Sequence, residues 1–377
     1  MSNTFVIGKD RLQDLIDSLT VRGYRVIGPV LERGAIVYGP VTKAMELPAG
    51  LVDEQAGGHY RLHQSAEDGP QDRALFRYTV GPHSWKRFLF PPRHRLWRAL
   101  RAGDGFSIEA EETNPEKYAF LGVRPCELAA IGIQDRVFDN GEFADHSYEV
   151  RRESAFVVAM NCTRAGGTCF CASMGTGPSA SQGFDLCLTE LVDESAHRFL
   201  VETGSGRGEE VLAGLPHRPA GGDEIETAAR LIDEATEAMG RRMHPDAAAI
   251  LKRNPEHPRW LDVAERCLNC ANCTLVCPTC FCSTVEDVTS LDGSEAERWR
   301  RWDSCFTVDF SYIHGGPIRR DAAARYRQWI THKLSYWHEQ FGSSGCTGCG
   351  RCITWCPVGI DITEEVAAIR ASEEEIE

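Results

Sequence analysis

The chain has 377 residues, a formal net charge of −14 and 16 cysteines. That length exceeds what one hydrophobic core serves, so two or three domains are expected. The acidic balance argues against general binding to nucleic acid or to anionic membranes.

The first ten residues lack the basic and apolar runs of a secretory signal, and no apolar run approaches the roughly 18 residues of a membrane span. Cysteines in such a chain suit thiols kept reduced for metal in a cytoplasmic setting, not a disulfide scaffold.

Residues 10–22 read as a helix, with Leu12, Leu15, Ile16 and Leu19 on one stripe and Gly23 at its end. Strand-like runs follow at 24–31 and 35–41. The segment 45–92 is rich in Gly, Pro and His and is expected to be irregular. A short apolar strand at 119–123 leads into Arg124-Pro125-Cys126 and a helix from 127 to about 134. A second apolar strand, 155–160, ends at Asn161-Cys162. Runs 186–191 and 198–202 form a strand pair, and 223–243 reads as a long amphipathic helix. Gly204-Ser-Gly206-Arg-Gly208 has its third glycine one residue early for a dinucleotide loop and reads as a turn. Residues 1–243 thus form a mixed α/β domain. Pro245, Pro255 and Pro258 mark 244–260 as a linker, and 261–377 as a second, helical domain.

The second domain carries the chemistry. Cys267-Leu-Asn-Cys270-Ala-Asn-Cys273-Thr-Leu-Val-Cys277-Pro278 and Cys346-Thr-Gly-Cys349-Gly-Arg-Cys352-Ile-Thr-Trp-Cys356-Pro357 both follow C-x2-C-x2-C-x3-C-P, the ligand run of a cubane iron–sulfur cluster. Three closely spaced thiolates curl round one corner of the cube, and the fourth is carried away to the other cluster. Cys267, Cys270, Cys273 and Cys356 are therefore assigned to one [4Fe–4S] cluster, and Cys346, Cys349, Cys352 and Cys277 to a second. Zinc normally takes two ligand pairs instead of runs of four. The long connection 278–345 is expected to hold helices at 294–303 and 320–341, giving an α-helical ferredoxin domain. On the second of these, Tyr326, Trp329, Ile330, Lys333 and Trp337 share a face expected to pack over a cluster.

Seven further cysteines have ligand-like settings. Cys126, Cys162, Cys169 and Cys171 lie in two loops, partly after strand ends, where open α/β sheets place their sites. They form a candidate third [4Fe–4S] site, with buried structural thiols as the alternative. Cys280, Cys282 and Cys305 are a weaker candidate metal site, with Asp303, Asp309 and His314 near in sequence. Alternatively these thiols only surround the main clusters, or the two Cys-Phe-Cys loops share one centre. Cys187 reads as core. His59, His63, His83 and His94 have no ligand-like spacing.

Cys277-Pro-Thr-Cys280-Phe-Cys282, Trp302-Asp-Ser-Cys305, Tyr78-Thr-Val-Gly-Pro-His-Ser-Trp85, Gly122-Val-Arg-Pro-Cys126-Glu-Leu-Ala-Ala-Ile131 and Cys169-Phe-Cys171-Ala-Ser-Met-Gly-Thr-Gly-Pro178 together resemble the beta subunit of cytoplasmic nickel–iron hydrogenases (sulfhydrogenases). The A subunit of anaerobic sulfite reductase is a close relative of that family. The resemblance implies a subunit that is not catalytic alone. It would pass electrons between a flavin- and NAD(P)-binding subunit and the small and large hydrogenase subunits, with no flavin or NAD(P) on this chain. The alternative is the equivalent subunit of a sulfite or polysulfide reductase. An iron–sulfur regulator, or an enzyme using the surplus thiols, is a rival from another class.

Overall fold

The apolar runs of the first half assemble into one sheet, because each must bury both faces. The computed structural model describes residues 4–65, 69–110 and 115–374. Its strands, in chain order, begin with β1 (Thr4–Gly8), β2 (Arg25–Glu32), β3 (Ala35–Pro40), β4 (Leu51–Ala56), β5 (His59–Gln64), β6 (Arg93–Ala102) and β7 (Gly105–Ala110). They continue with β8 (Tyr118–Val123), β9 (Phe156–Met160), β10 (Leu186–Val192), β11 (His197–Thr203) and β12 (Arg218–Pro219).

Eight of these form a mixed sheet in the order β12-β1-β11-β10-β9-β8-β2-β3. At its centre β2, β8, β9 and β10 run parallel, and strands buried on both faces read as continuous apolar runs. Leu121, Val158 and Leu188 pack under the helix Leu12–Val21. Phe120, Val157, Ala159 and Cys187 face the opposite core, with Trp85, Ile131 and Tyr148. Cys187 is therefore a core residue, as expected.

The second half winds helices around the two motifs. Its core combines Ile250, Trp260, Tyr326, Trp329, Ile330, Ile353 and Val366. The expected helix 320–341 is present, but in three parts. Ala322–Thr331 and Trp337–Phe341 flank a π-helical turn, His332–Tyr336.

Four expectations change. Segment 45–92 holds the hairpin β4–β5, turned at Gly57-Gly58, and the short helix Lys86–Leu89. The stretch 294–303 is not a helix. It lies in β14 (Glu295–Trp302), which pairs with β13 (Ser283–Thr289) and with β6 in the sheet β13-β14-β6-β7. Its Glu and Arg residues favour a helix in isolation, but they find cross-strand partners, Arg95 with Glu297 at 3.0 Å and Arg298 with Asp287 at 2.7 Å. The dicluster region is thus not wholly helical, and its insert shares a sheet with the first half.

The amphipathic helix spans Gly222–Glu237 and stops short of 243, which frees Met239 to line a cavity described below. The expected linker 244–260 holds the helix Ala247–Arg253, with Ile250 and Leu251 buried. Pro258 there opens the next helix, Arg259–Arg266, a position where proline's missing N–H costs nothing.

Candidate metal centres

The first motif begins where Arg259–Arg266 ends, with Cys267 as its last cap. Asn269 and Ala271 then take left-handed backbone, φ 52° and 65°, which bends the loop so that its thiols converge. Cys267, Cys270, Cys273 and Cys356 line one cavity, closed by Phe306, Tyr326, Trp329 and Ile360. The N–H groups of Asn269 and Ile360 donate to Cys267 Sγ and Cys356 Sγ, each at 3.4 Å. Burial pushes the Cys273 thiol up, and the neighbouring Cys267, Cys356 and Cys270 push it further. Tyr326 Oη and Trp329 Nε1 are buried without a hydrogen-bond partner. Unpaired buried donors are costly, and the sulfurs of a cluster would accept from them.

In the second motif Gly348 and Gly350 supply the same left-handed bend, φ 65° and 74°. Gly348 N–H donates to Cys346 Sγ at 3.4 Å. Burial pushes Cys346 up to about 12. Cys352 is pushed up first by burial and then by Cys346, Cys349 and Cys277, and Lys333 Nζ bridges Cys277 Sγ and Gly345 O, beside Cys346. Thr347 Oγ1 is a further buried hydroxyl without a partner.

The four N-terminal cysteines also come together. Cys126 sits in the first turn of the helix Pro125–Phe138, and Cys162 follows β9. With Cys169 and Cys171 they line one cavity, together with Tyr78, Arg124, Met239, Cys349 and Arg351. Burial pushes Cys169 up to about 12. Tyr78 Oη is buried and unpartnered. Arg124 Nη1 lies 4.0 Å from Cys162 Sγ, and its Nη2 donates to the carbonyls of Phe76 and Tyr78.

This group abuts the second motif directly. Phe170 N–H donates to Gly348 O at 2.9 Å, and Thr176 Oγ1 donates to Thr347 O at 2.6 Å. Arg351, between Cys349 and Cys352, donates to Glu127 Oε1 at 2.6 Å and to Gly81 O at 3.0 Å. Glu127, beside Cys126, also accepts from Tyr38 Oη and from Trp85 Nε1. Among the described residues no three His, Cys, Asp or Glu side chains converge as they would on one ion. Thiols ringed round cavities suit polynuclear clusters better than single zinc ions.

A family model described as a 4Fe-4S dicluster domain matches residues 266–360, the two motifs and the insert between them. The sulfhydrogenase 2 subunit beta of Pyrococcus furiosus is 34% identical over 343 residues, 89% of this chain and 92% of the relative. The chain belongs to the sulfhydrogenase beta-subunit family. No solved structure matches it.

As a member of that family with a dicluster domain, it is an iron–sulfur electron-transfer subunit, and the domain implies two [4Fe–4S] clusters. No helix among the described residues is long and apolar enough to cross a membrane.

The remaining cysteines of this sulfhydrogenase-family chain take another place. Cys280 touches Cys277, and Cys282 touches Cys305, away from the cavity of the Cys169-Phe-Cys171 loop. The two Cys-Phe-Cys loops therefore do not share one centre. Asp303 is occupied by Ser304 N–H and Thr307 Oγ1, and Asp309 and His314 are exposed. The turn 204–208 caps a helix instead of holding phosphate, with Ser205 accepting from Gly208 N–H.

Sequence reasoning did not single out Arg124, Glu127 or Arg351 as parts of the site. The only sequence signal was their adjacency to cysteines, in Arg-Pro-Cys-Glu and Cys-Gly-Arg-Cys.

Proposed function

We propose that this chain carries electrons within a cytoplasmic NAD(P)-linked nickel–iron hydrogenase, between a flavin- and NAD(P)-binding subunit and the hydrogenase small and large subunits. Similarity to a sulfhydrogenase beta subunit supports a place within a hydrogenase complex, and since Gly204-Ser-Gly206-Arg-Gly208 is not a dinucleotide loop, this reading places flavin and NAD(P) on a partner. In this reading Cys267, Cys270, Cys273 and Cys356 hold one cluster, Cys346, Cys349, Cys352 and Cys277 a second, and Cys126, Cys162, Cys169 and Cys171 a third. Bound [4Fe–4S] clusters supply one-electron transfer.

The observation that carries the proposal is a shared wall on each side of the second motif. Its Cys352 also lines the cavity of the first motif, and its Cys349 also lines the cavity of the N-terminal cysteines. Two thiol-ringed cavities thus flank the second motif, and in this reading the three groups of thiols form a row with the second motif in the middle. The chain's own residues set the environment. Burial excludes water, backbone N–H groups face the sulfurs, and Arg124 and Arg351 offset negative charge at the inner cavity; each of these tunes potential. At the outer end Cys270 is exposed, within reach of a partner.

The test is the assembled complex with Cys270→Ser or Cys169→Ser. Hydrogen-dependent reduction of NAD(P)+ should be lost, while each partner subunit keeps its activity with an artificial dye. Full NAD(P)+ reduction in both variants would overturn the row. Sulfite- or polysulfide-dependent turnover in place of hydrogen consumption would assign the chain to the reductase relative instead.

A further inference from the structure

Two lysines are buried where no carboxylate meets them. Lys86 is 4% exposed and Lys333 6%. Lys86 Nζ donates to Cys280 O at 3.0 Å and stands 3.8 Å from the centre of the Trp302 ring. Lys333 lies in the π-helical turn His332–Tyr336. Its Nζ donates to Cys277 Sγ at 3.3 Å, Thr279 Oγ1 at 2.8 Å and Gly345 O at 3.2 Å. Among the described residues neither ammonium has an acidic partner. Buried charge is strongly penalised unless it is paired, and π-turns frequently mark functional positions.

Thiols lie near both ammoniums. The β13–β14 hairpin sets Ser283 opposite Trp302, so its open end draws together the residues on either side, and Asp303 N–H donates to Cys282 O at 2.9 Å. That register brings Cys305 into contact with Cys282. On the other side of Phe281, Cys280 meets Cys277. Phe281 itself packs edge-on against Phe138 and Trp337, with centroids 6.2 Å and 6.0 Å away, which fixes the loop. Cys277 also belongs to the second motif, and Cys305 lies within electrostatic reach of Cys273 in the first.

We infer that Cys280, Cys282 and Cys305 hold a further iron–sulfur cluster, with Lys86 as its counter-charge and Lys333 between it and the second motif. Thiolate-ligated clusters are anionic: Lys333 faces the second cluster through Cys277, and the further cluster supplies the negative charge that Lys86 lacks. Only three cysteines are free for it once Cys277 serves the second motif. One iron therefore takes a ligand that is not cysteine, and this cluster is the one most readily oxidised to the three-iron form. The inference rests on the reading above only in giving Cys277 to the second motif.

The test uses the full chain purified anaerobically, with iron analysis and EPR. The wild type should hold about 16 iron, and a Cys282→Ser/Cys305→Ser variant about 4 fewer. Mild oxidation of the wild type should give a three-iron EPR signal that this variant lacks. A Cys126→Ser/Cys169→Ser variant should separately lose about 4 iron while keeping that signal.

Equal iron in the wild type and the Cys282/Cys305 variant overturns the inference. The reading of a third cluster at the N-terminal cysteines then stands or falls on the other variant. If the Cys282/Cys305 variant does not fold, Lys86→Met decides. Loss of the positive charge should lower the midpoint potential of the signal that oxidation produces, and an unchanged potential overturns the proposal.

Discussion

The two cysteine motifs share one spacing but differ in the residues between the cysteines, and the difference follows from what each loop touches. At equivalent positions the first loop has Asn269 and Ala271, the second Gly348 and Gly350, all in left-handed backbone. That conformation costs a side-chain-bearing residue about 1–2 kcal/mol. The first loop lies toward the surface, with Leu268, Leu275 and Cys270 exposed, and side chains there have room. The second loop is pressed against residues 168–171. A Cβ on Gly348 would lie 2.6 Å from Cys171 N, and one on Gly350 would meet Thr168 O. One motif therefore faces outward and the other is an internal joint between the two halves of the chain.

The largest test of that contrast removes the joint's buried ion pair. Glu127→Ala leaves Arg351 unpaired in the interior, and a loss of about 3–5 kcal/mol is expected. It should appear as a clear fall in the thermal unfolding midpoint, and Glu127→Gln combined with Arg351→Met should recover much of it.

Next in size is Gly350→Ala. Left-handed strain of about 1–2 kcal/mol adds to overpacking of about 1–3 kcal/mol. Iron at the proposed Cys126, Cys162, Cys169 and Cys171 site should fall while the first-motif cluster keeps its EPR signal. Unchanged iron would deny that the two loops are coupled.

A pH test reads the same joint more gently. His83 lies two residues from Gly81, whose carbonyl accepts from Arg351. Burial, helped by Arg87, pushes its pKa down to about 4 from 6.5. The folded state thus prefers neutral His83. Its contribution is complete above about pH 6.5 and is lost as pH falls toward 4. His83→Gln should flatten that part of the profile of unfolding midpoint against pH, relative to the wild type.

The smallest effect is expected from the reverse exchange in the outer loop. Ala271→Gly relieves left-handed strain but gives up a small buried methyl and adds unfolded-state freedom. Stability should change by less than about 1 kcal/mol. A large loss would mean that the outer loop is packed as tightly as the inner one.

Legibility tracked how local each cause was. The helix Leu12–Val21 was readable because its stripe faces one core, and β8 and β9 because both of their faces are buried. The hairpin β4–β5 was hidden because its tip is held by a distant segment, Gly58 N–H donating to Ile353 O at 3.1 Å. β14 was hidden because its charged residues are satisfied only across strands. Arg351 and Glu127 gave no signal beyond their adjacency to cysteines, whereas Lys333 was legible on the helix face expected to pack over a cluster.

The sequence by itself determined the ligand runs and the sulfhydrogenase resemblance. Cluster ligation depends on thiols a few residues apart, and that spacing is written along the chain. Only the tertiary structure decided which thiols share a cavity, which motif is the inner one, and which buried cations stand beside them. Those are contacts between segments far apart in sequence, and they exist only once the hairpins, the shared sheet and the two cores bring those segments together.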